Sequence, residues 1–161
     1  MHFVLEQSFS FSPETVIGAE VYRVSNFTRH PELGIKEITH SDVRPGQASF
    51  QSILEVDDSI PVVVQKVMPS LSKLIYVNEY FTDDLFENFQ MYLEGHKERF
   101  LIAGKTEYIP SGENNSIRKF SVDVNVDIPL IGKMIEGQSA DEYRKTLEKD
   151  HEFLSKLLEV F

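Results

Sequence analysis

The sequence predicts an α+β fold in which a curved antiparallel sheet of about seven strands packs against one long C-terminal helix. The end of the chain carries the architecture: apolar residues alternate over residues 120–128, and after Pro129 the apolar spacing becomes helical and continues to the chain end. The connections between the other predicted strands are short. Short connections favour antiparallel pairing, because a parallel crossover needs a dozen or more residues.

The beginning of the chain is predicted to hold one strand followed by helical structure. Apolar and polar residues alternate over residues 3–11, which predicts a half-buried first strand. Ser12, Pro13 and Glu14 are typical of a helix start: a capping hydroxyl, a proline at the first helical position and an acid at the positive end. Residues 13–33 are therefore predicted to form one or two short helices.

Six further strands are predicted between this helical segment and the C-terminal helix, each bounded by turn-forming residues. Their ranges are 35–43, 48–56, 72–81, 87–94, 98–109 and 116–128. The signals of residues 57–68 conflict, because β-branched residues favour a strand while Ser59 and Pro61 favour a capped helical turn. We interpret this segment as a loop with some helix and as a candidate moving mouth.

The last strand and the helix are each predicted to have one apolar face. On the strand it consists of Phe120, Val122, Val124, Val126 and Ile128, and on the helix of Tyr143, Leu147, His151, Leu154, Leu158 and Phe161. A helix of about 30 residues, ~45 Å long, cannot bury such a stripe alone and must lie across the dry face of the sheet. Gly137 leaves one alternative open, a break at residues 137–139 with Ser139 capping a second helix.

Length and composition are those of an ordinary globular protein. The 161 residues are expected to form one domain, residues 1–161, and no apolar run is long enough for stable insertion in a membrane. The formal charge of −10 opposes binding to nucleic acid. The absence of cysteine excludes disulfides and thiolate chemistry and fits a cytoplasmic location.

No pattern of residues indicates a catalytic or metal site. The chain lacks a nucleophile elbow, a phosphate-binding glycine loop and a zinc-binding helix motif. The acid pairs Asp57-Asp58 and Asp83-Asp84 lack the ligand spacing of a calcium loop and are interpreted as solvated turns. We predict no catalytic residue, no metal ligand and no cofactor, and the oligomeric state stays open.

Two polar residues coincide with the apolar stripe of the helix. Glu136 projects toward Tyr143 and Leu147 if the helix is unbroken; it is either partly exposed in the first turn or a polar anchor facing Arg118 or Tyr108. His151 is either a hydrogen-bonded core residue or a donor to a ligand.

The order of elements resembles the START-like, or helix-grip, superfamily, which includes lipid-transfer domains, polyketide cyclases and aromatases, and Hsp90-activator domains. The closing segment "VDVNVDIPLIGKMIEGQSADEYRKTLEKDHEFLSKLL" and the opening "FVLEQSFSFSPETVIGAEVYRVSNFTRHPEL" carry the resemblance. Pro129, Gly132 and Glu136 match the proline, glycine and glutamate of an uncharacterised bacterial family of START-like domains. The resemblance implies a cavity between sheet and helix that accepts a hydrophobic small molecule or a lipid.

Candidate ligand-binding residues are those expected to face this cavity from the strands and the helix. They are Tyr76, Tyr92, Tyr108, Arg118, Phe120, Val122, Val124, Glu136, Tyr143, Leu147 and His151. Plain core packing is the alternative for the aromatic residues among them.

Three functions remain open on the sequence alone. The first is binding, or transport, of a hydrophobic molecule or lipid without covalent chemistry. The second is a cyclase- or aromatase-like enzyme in which Glu136, His151 or a tyrosine moves a proton. The third is a protein-interaction domain resembling the Hsp90 activators, with a filled core.

Overall fold

The computed structural model describes residues 1–56 and 73–161. Within these ranges seven strands form one antiparallel sheet with the spatial order β1-β7-β6-β5-β4-β3-β2. The strands are β1 (His2–Phe9), β2 (Ile35–Arg44), β3 (Gln47–Leu54), β4 (Leu74–Phe81), β5 (Phe86–Leu93), β6 (Phe100–Pro110) and β7 (Ser116–Val126). Strands β2 to β7 form a meander, and β1 is added beside β7. The predicted seven-stranded antiparallel sheet is confirmed.

In the described part of the chain, two α-helices pack on one face of this sheet. Helix α1 (Pro13–Ser25) is followed by single 3₁₀ turns at Phe27–Arg29 and Pro31–Leu33, and α2 (Gly132–Val160) follows β7. The predicted helix start is confirmed, since the Thr15 backbone N–H donates to Ser12 Oγ at 3.3 Å. Helix α2 contacts β7 and β1, while α1 contacts β6, β7 and α2.

The inner face of the sheet carries two separate apolar clusters. The first, which we call the corner cluster, packs Val122, Val124 and Ile102 against Ile135 of α2, and all four are completely buried. The second, the α1 cluster, contains Phe9, Val16, Ile17, Phe50, Tyr108 and Leu154. Helix α2 therefore packs in both clusters, and α1 packs in the second one only.

Between the two clusters, inward-facing polar side chains follow one another across six strands. These residues, which we call the polar belt, are Gln7 (β1), Arg118 (β7), Thr106 (β6), Glu87 (β5), Asn78 (β4) and Ser52 (β3), and all of them are buried. Gln7 lies directly opposite Arg118, and Thr106 directly opposite Glu87. Buried polar groups require partners, so this belt marks the region in which the interior is not built for packing alone.

The corner between β7 and α2 is formed by a turn after Ile128. Leu130 adopts a left-handed backbone conformation with φ of 73° and is fully exposed. The Gly132 N–H donates to Ile128 O at 2.9 Å, and a Cβ on Gly132 would lie 2.5 Å from Val126 O. Glycine is required at this position because the helix begins in contact with the backbone of the preceding strand.

Helix α2 runs without interruption over 29 residues, so the alternative break at residues 137–139 is wrong. Tyr143, Leu147, Leu154 and Leu158 are buried as predicted. The prediction for Phe161 is wrong: it follows the last helical residue and is 56% exposed. Its ring lies beside the exposed Tyr22, with ring centroids 5.3 Å apart.

The predicted moving mouth at residues 57–68 lies outside the described residues. In the part of the chain that is described, neither helix combines the length and the apolar character needed to cross a bilayer.

We predict opposite effects for two glycine-to-alanine substitutions in α2. Gly132→Ala should lower the free energy of unfolding by about 1–3 kcal/mol, because the new Cβ overlaps Val126 O. Gly137→Ala should raise it by about 0.5–1 kcal/mol, because a Cβ there meets only Met1 Cε at 3.6 Å and alanine favours the helix. Urea unfolding of both variants measures the two changes in the free energy of unfolding. Equal effects would contradict an unbroken helix α2 whose first residue contacts the backbone of Val126.

Candidate functional site

A cavity of about 150 Å³ lies between the inner face of the sheet, α2 and the segment that joins α1 to β2. One part of its wall is apolar and consists of Leu54, Leu74, Phe89, Met91, Phe120 and Leu147. Another part is charged and consists of Glu20, Arg23, Glu32, Glu55, Glu87, Arg118 and Asp150. A volume of this order accommodates several water molecules or a small ring compound.

Four of the charged residues form an ionic cluster that joins three elements of the fold. Arg23 of α1 and Arg118 of β7 are each 1% exposed and share the carboxylates of Glu20 and Asp150. Arg23 Nη1 lies 2.8 Å from Asp150 Oδ1, and Arg118 Nη2 lies 3.2 Å from Asp150 Oδ2. Glu20 contacts Arg23 directly and lies 3.6 Å from Arg118 Nη1. We refer to these four residues as the ionic cluster.

Further contacts fix the geometry of Arg118. Its Nη2 and Nε donate to Gln7 Oε1 at 2.7 and 3.2 Å, and Gln7 Nε2 donates to Leu147 O at 2.9 Å. Its guanidinium also lies over the ring of Phe120, 4.8 Å from the centroid. Burial acts to raise the pKa of Asp150, but the guanidiniums of Arg23 and Arg118 hold that pKa below its ordinary value. Asp150 is thus held in its charged form, and the guanidinium of Arg118 is held in one arrangement.

Glu87 lies in the cavity wall but outside the ionic cluster. Its side chain is 4% exposed, and Asn78 Nδ2 donates to its Oε2 at 2.6 Å. Burial, and secondarily the charge of Glu20, raise the pKa of Glu87 to about 7, while the hydrogen bond from Asn78 opposes this shift. Glu87 therefore changes its charge near neutral pH.

Three tyrosines, Tyr76, Tyr80 and Tyr143, line the cavity near Glu87. Burial raises the pKa of each of them, so their hydroxyl groups stay neutral. The Phe89 ring stands between two of them, with centroids 6.4 Å from Tyr76 and 6.3 Å from Tyr143. These rings offer aromatic faces and neutral hydroxyl groups to the interior.

Five of the residues predicted from the sequence as ligand-binding line this cavity. They are Tyr76, Arg118, Phe120, Tyr143 and Leu147. They come together because they occupy the inward positions of β4 and β7 and the buried stripe of α2.

Four other predicted residues lie away from the cavity. Val122 and Val124 are completely buried in the corner cluster, and Tyr108 is buried in the α1 cluster. Tyr92 alternates with the buried Met91 and so faces the outer side of the sheet, where Lys97 Nζ lies 5.0 Å from its ring centroid. A period of two identifies the face of a strand, but it does not locate a residue along the strand relative to an opening.

Glu136 lies near the N-terminus of α2 and outside the cavity wall, to which the middle of the helix contributes Tyr143, Leu147 and Asp150. Its carboxylate pairs with the N-terminal ammonium of Met1 at 2.8 Å and accepts from the Val126 N–H at 3.3 Å, and it does not face Arg118 or Tyr108. Eleven residues separate it from Leu147, a distance of roughly 16 Å along a helix. The prediction that it is partly exposed in the first turn describes this position, with 20% of its side chain accessible.

His151 lies at the edge of the α2 stripe and not in the cavity wall. Its Nε2 donates to Ser8 O of β1 at 2.9 Å, and its ring meets Phe9 edge-on with centroids 4.8 Å apart. Because the acceptor is a carbonyl, the Nε2–H tautomer is required. This histidine ties α2 to the first strand.

Sequence reasoning missed Glu20, Arg23, Glu87 and Asp150. A signal existed for Glu87, which shares the inward register of Phe89, Met91 and Leu93. The position of Asp150, three residues after Leu147, also falls on the helix stripe. Glu20 and Arg23 look like an ordinary exposed i,i+3 pair, and only the fold buries them.

We predict that Glu87 makes the stability of the protein depend on pH. Because its pKa is higher in the folded protein than in the unfolded chain, the folded state holds the extra proton between pH 4.5 and about 7 and loses stability as the pH rises through this range. Glu87→Gln removes this effect, so between pH 5 and pH 8 the variant should gain about 2 kcal/mol relative to wild type. Chemical unfolding at both pH values measures the difference.

The matched control is Glu79→Gln, on the outer face of β4. Its stability should follow that of the wild type at both pH values. A Glu87→Gln curve parallel to the wild type would contradict the buried, titrating carboxyl group.

The whole architecture is similar to that of several solved structures. Norcoclaurine synthase from Thalictrum flavum matches with a TM-score of 0.63 at 12% identity, over 98% of this chain and 86% of that chain. The Zhui aromatase/cyclase from Streptomyces sp. R1128 matches with a TM-score of 0.61 at 4% identity, over 99% and 93%. A START superfamily protein from Mycobacterium smegmatis matches with a TM-score of 0.51 at 17% identity, over 95% and 98%.

At these identities the likeness shows the fold alone, and it confirms the predicted resemblance to the START-like superfamily. Among curated proteins, none matches the sequence with statistical support. Residues 5–158 match the model of the family described as "Protein of unknown function (DUF2505)". The chain therefore belongs to the DUF2505 family, and it has the helix-grip fold of START-like domains.

Proposed function

We propose that the protein binds one small, largely apolar molecule in the cavity between the sheet and α2. The observation that carries this proposal is the cavity itself, which is lined by apolar residues and by a small number of fixed polar groups. Ligand sites of proteins have this composition, because apolar walls supply the affinity and a few polar groups set the orientation. A filled interior would have favoured the interaction domain instead.

The apolar wall supplies the driving force for binding. Leu74, Phe89 and Phe120 are held by the sheet and Leu147 by α2, so their positions do not depend on the ligand. Burial of apolar surface contributes about 25 cal/mol per Å². A ligand can therefore bury its apolar surface against this wall without any movement of the strands or of the helix.

Catalysis is a second candidate function, and one observation favours it. Glu87 is a buried carboxyl group in a cavity wall, and its pKa of about 7 suits proton transfer at neutral pH. In this reading Glu87 replaces Glu136 and His151, which lie elsewhere, as the group that moves a proton. Conversion of a bound compound by the wild type but not by Glu87→Gln would establish this second function.

We predict that an apolar ligand stabilises the protein against heat. At a ligand concentration 100 times the dissociation constant, binding adds about 2.7 kcal/mol, which corresponds to roughly 5–10 °C in Tm for a chain of this size. Thermal unfolding with octan-1-ol and with a panel of small monocyclic aromatic compounds measures the effect, and native mass spectrometry of fresh protein detects a ligand that is already bound. No shift with any compound and no bound mass would contradict the proposal.

Leu147→Phe tests the location of the site. The larger side chain fills part of the cavity, so binding of the stabilising compound should weaken at least roughly tenfold. The control is Leu101→Phe, because Leu101 alternates with the buried Ile102 and faces the outer side of the sheet. Equal weakening in both variants would place the bound compound outside this cavity.

A further inference from the structure

The charges in the cavity wall are unequal in number. Among the described residues, the wall holds two guanidinium groups against five carboxyl groups, those of Glu20, Glu32, Glu55, Glu87 and Asp150. The carboxyl groups of the wall therefore outnumber its guanidinium groups by three. The wall as a whole attracts positive charge and repels negative charge.

Both guanidinium groups are already engaged by protein carboxylates. Arg118 donates to Gln7 and Asp150, and Arg23 contacts Glu20 and Asp150. A third carboxylate, Glu32, approaches Arg23 Nη1 at 3.8 Å. A ligand carboxylate would have to compete with these fixed anions, and their charge opposes its approach.

Glu87 differs from the other buried carboxyl groups because its neighbours among the described residues are neutral or negative. Asn78 donates to it at 2.6 Å, and Tyr80 and Thr106 lie directly opposite it on the adjacent strands. No arginine or lysine of residues 1–56 and 73–161 forms an ion pair with it. It is the buried acid of the cavity wall that lacks a cationic partner in this part of the chain.

Aromatic rings surround the same part of the cavity. Tyr76, Tyr80, Phe89 and Tyr143 line it together with Glu87. The faces of aromatic rings attract cations, most strongly where water is excluded. Carboxylate and rings thus favour the same kind of chemical group.

We propose that the ligand of this cavity is a protonated amine with an apolar or aromatic body, its ammonium group paired with Glu87 and its body packed against Phe120 and Leu147. This inference rests on the proposed function, since it names the class of molecule that the cavity binds. The ammonium group supplies the charge that the described neighbours of Glu87 lack, and it leaves the ionic cluster intact.

Three compounds that differ only in their polar group test the proposal. We expect octylamine to bind at least tenfold more tightly than octan-1-ol, and nonanoate to bind most weakly, as measured by calorimetry at pH 8 and low salt. The same order is expected for 2-phenylethylamine, 2-phenylethanol and 3-phenylpropanoate. Equal or tighter binding of the alcohol or the carboxylate would overturn the inference while leaving the proposed function in place. No binding by any of the six would overturn both.

Glu87→Gln separates charge from shape. The variant should lose roughly tenfold or more in octylamine affinity, because a hydrogen bond to a charged group becomes one to a neutral amide. Its affinity for octan-1-ol should stay within about threefold, since the amide keeps the shape of the carboxyl group. Glu79→Gln on the outer face of β4 should leave both affinities unchanged. An amine preference that survives Glu87→Gln would refute the assigned contact.

The wild-type protein gives a further test that does not depend on a variant. Octylamine stays protonated between pH 6 and pH 8, because aliphatic amines titrate near pH 10. Its affinity relative to octan-1-ol should therefore rise about tenfold over this range as Glu87 ionises. The groups facing Glu87 are Glu20 from α1, Tyr76, Asn78 and Tyr80 from β4, Thr106 and Tyr108 from β6, and Tyr143 from α2. A ratio that is independent of pH would overturn the inference.

Discussion

The interior of this protein depends on the ionic cluster formed by Arg23, Arg118, Glu20 and Asp150. These residues come from α1, β7 and α2, so a single set of charge contacts fixes both helices relative to the sheet. Removing one member would leave an uncompensated buried charge, at a cost of about 3–5 kcal/mol. Replacing all four with apolar residues would avoid that cost but would also remove the spacing that the charged groups impose. A buried ion pair adds little net stability over apolar packing of the same volume, so what the cluster contributes is a set of fixed contacts between α1, β7 and α2.

The polar belt and the cavity follow from the same division of the interior. The corner cluster holds the first half of α2 on β7, and the α1 cluster holds the end of α2 beside α1. Between them the sheet presents polar side chains, which cannot interlock as closely as apolar ones because each needs a partner in a defined direction. The cavity lies in this middle zone, where one wall is apolar and the other carries fixed charge. The cavity has both an apolar and a charged wall because it lies between the apolar clusters and the polar belt.

The fold could be predicted from the sequence because its elements have clear local signals. Alternation in residues 120–128 and the helical spacing after Pro129 require a sheet and a long helix that cover each other. The site was only partly predictable. Tyr143 and Leu147 follow from the helix stripe, but Glu20 and Arg23 are three residues apart on a short helix, a spacing normal for exposed ion pairs. Their burial depends on β7 and α2, which are distant in sequence, and no local pattern contains that information.

Pairing of β1 with β7 also constrains the order in which the protein forms. His2 lies opposite Asp123 and Phe9 opposite Ser116, so β1 has no strand partner until β7, more than 100 residues later in the sequence, has been synthesised. Contacts of such long sequence separation are slow to form, because the intervening chain must first be ordered. During translation the β2–β6 meander can assemble early, while the apolar side of β1 stays uncovered. Until β7 is in place, Phe3, Leu5 and Phe9 lack the strand that lies beside them in the folded protein, and an unpaired strand with an apolar side is prone to aggregation.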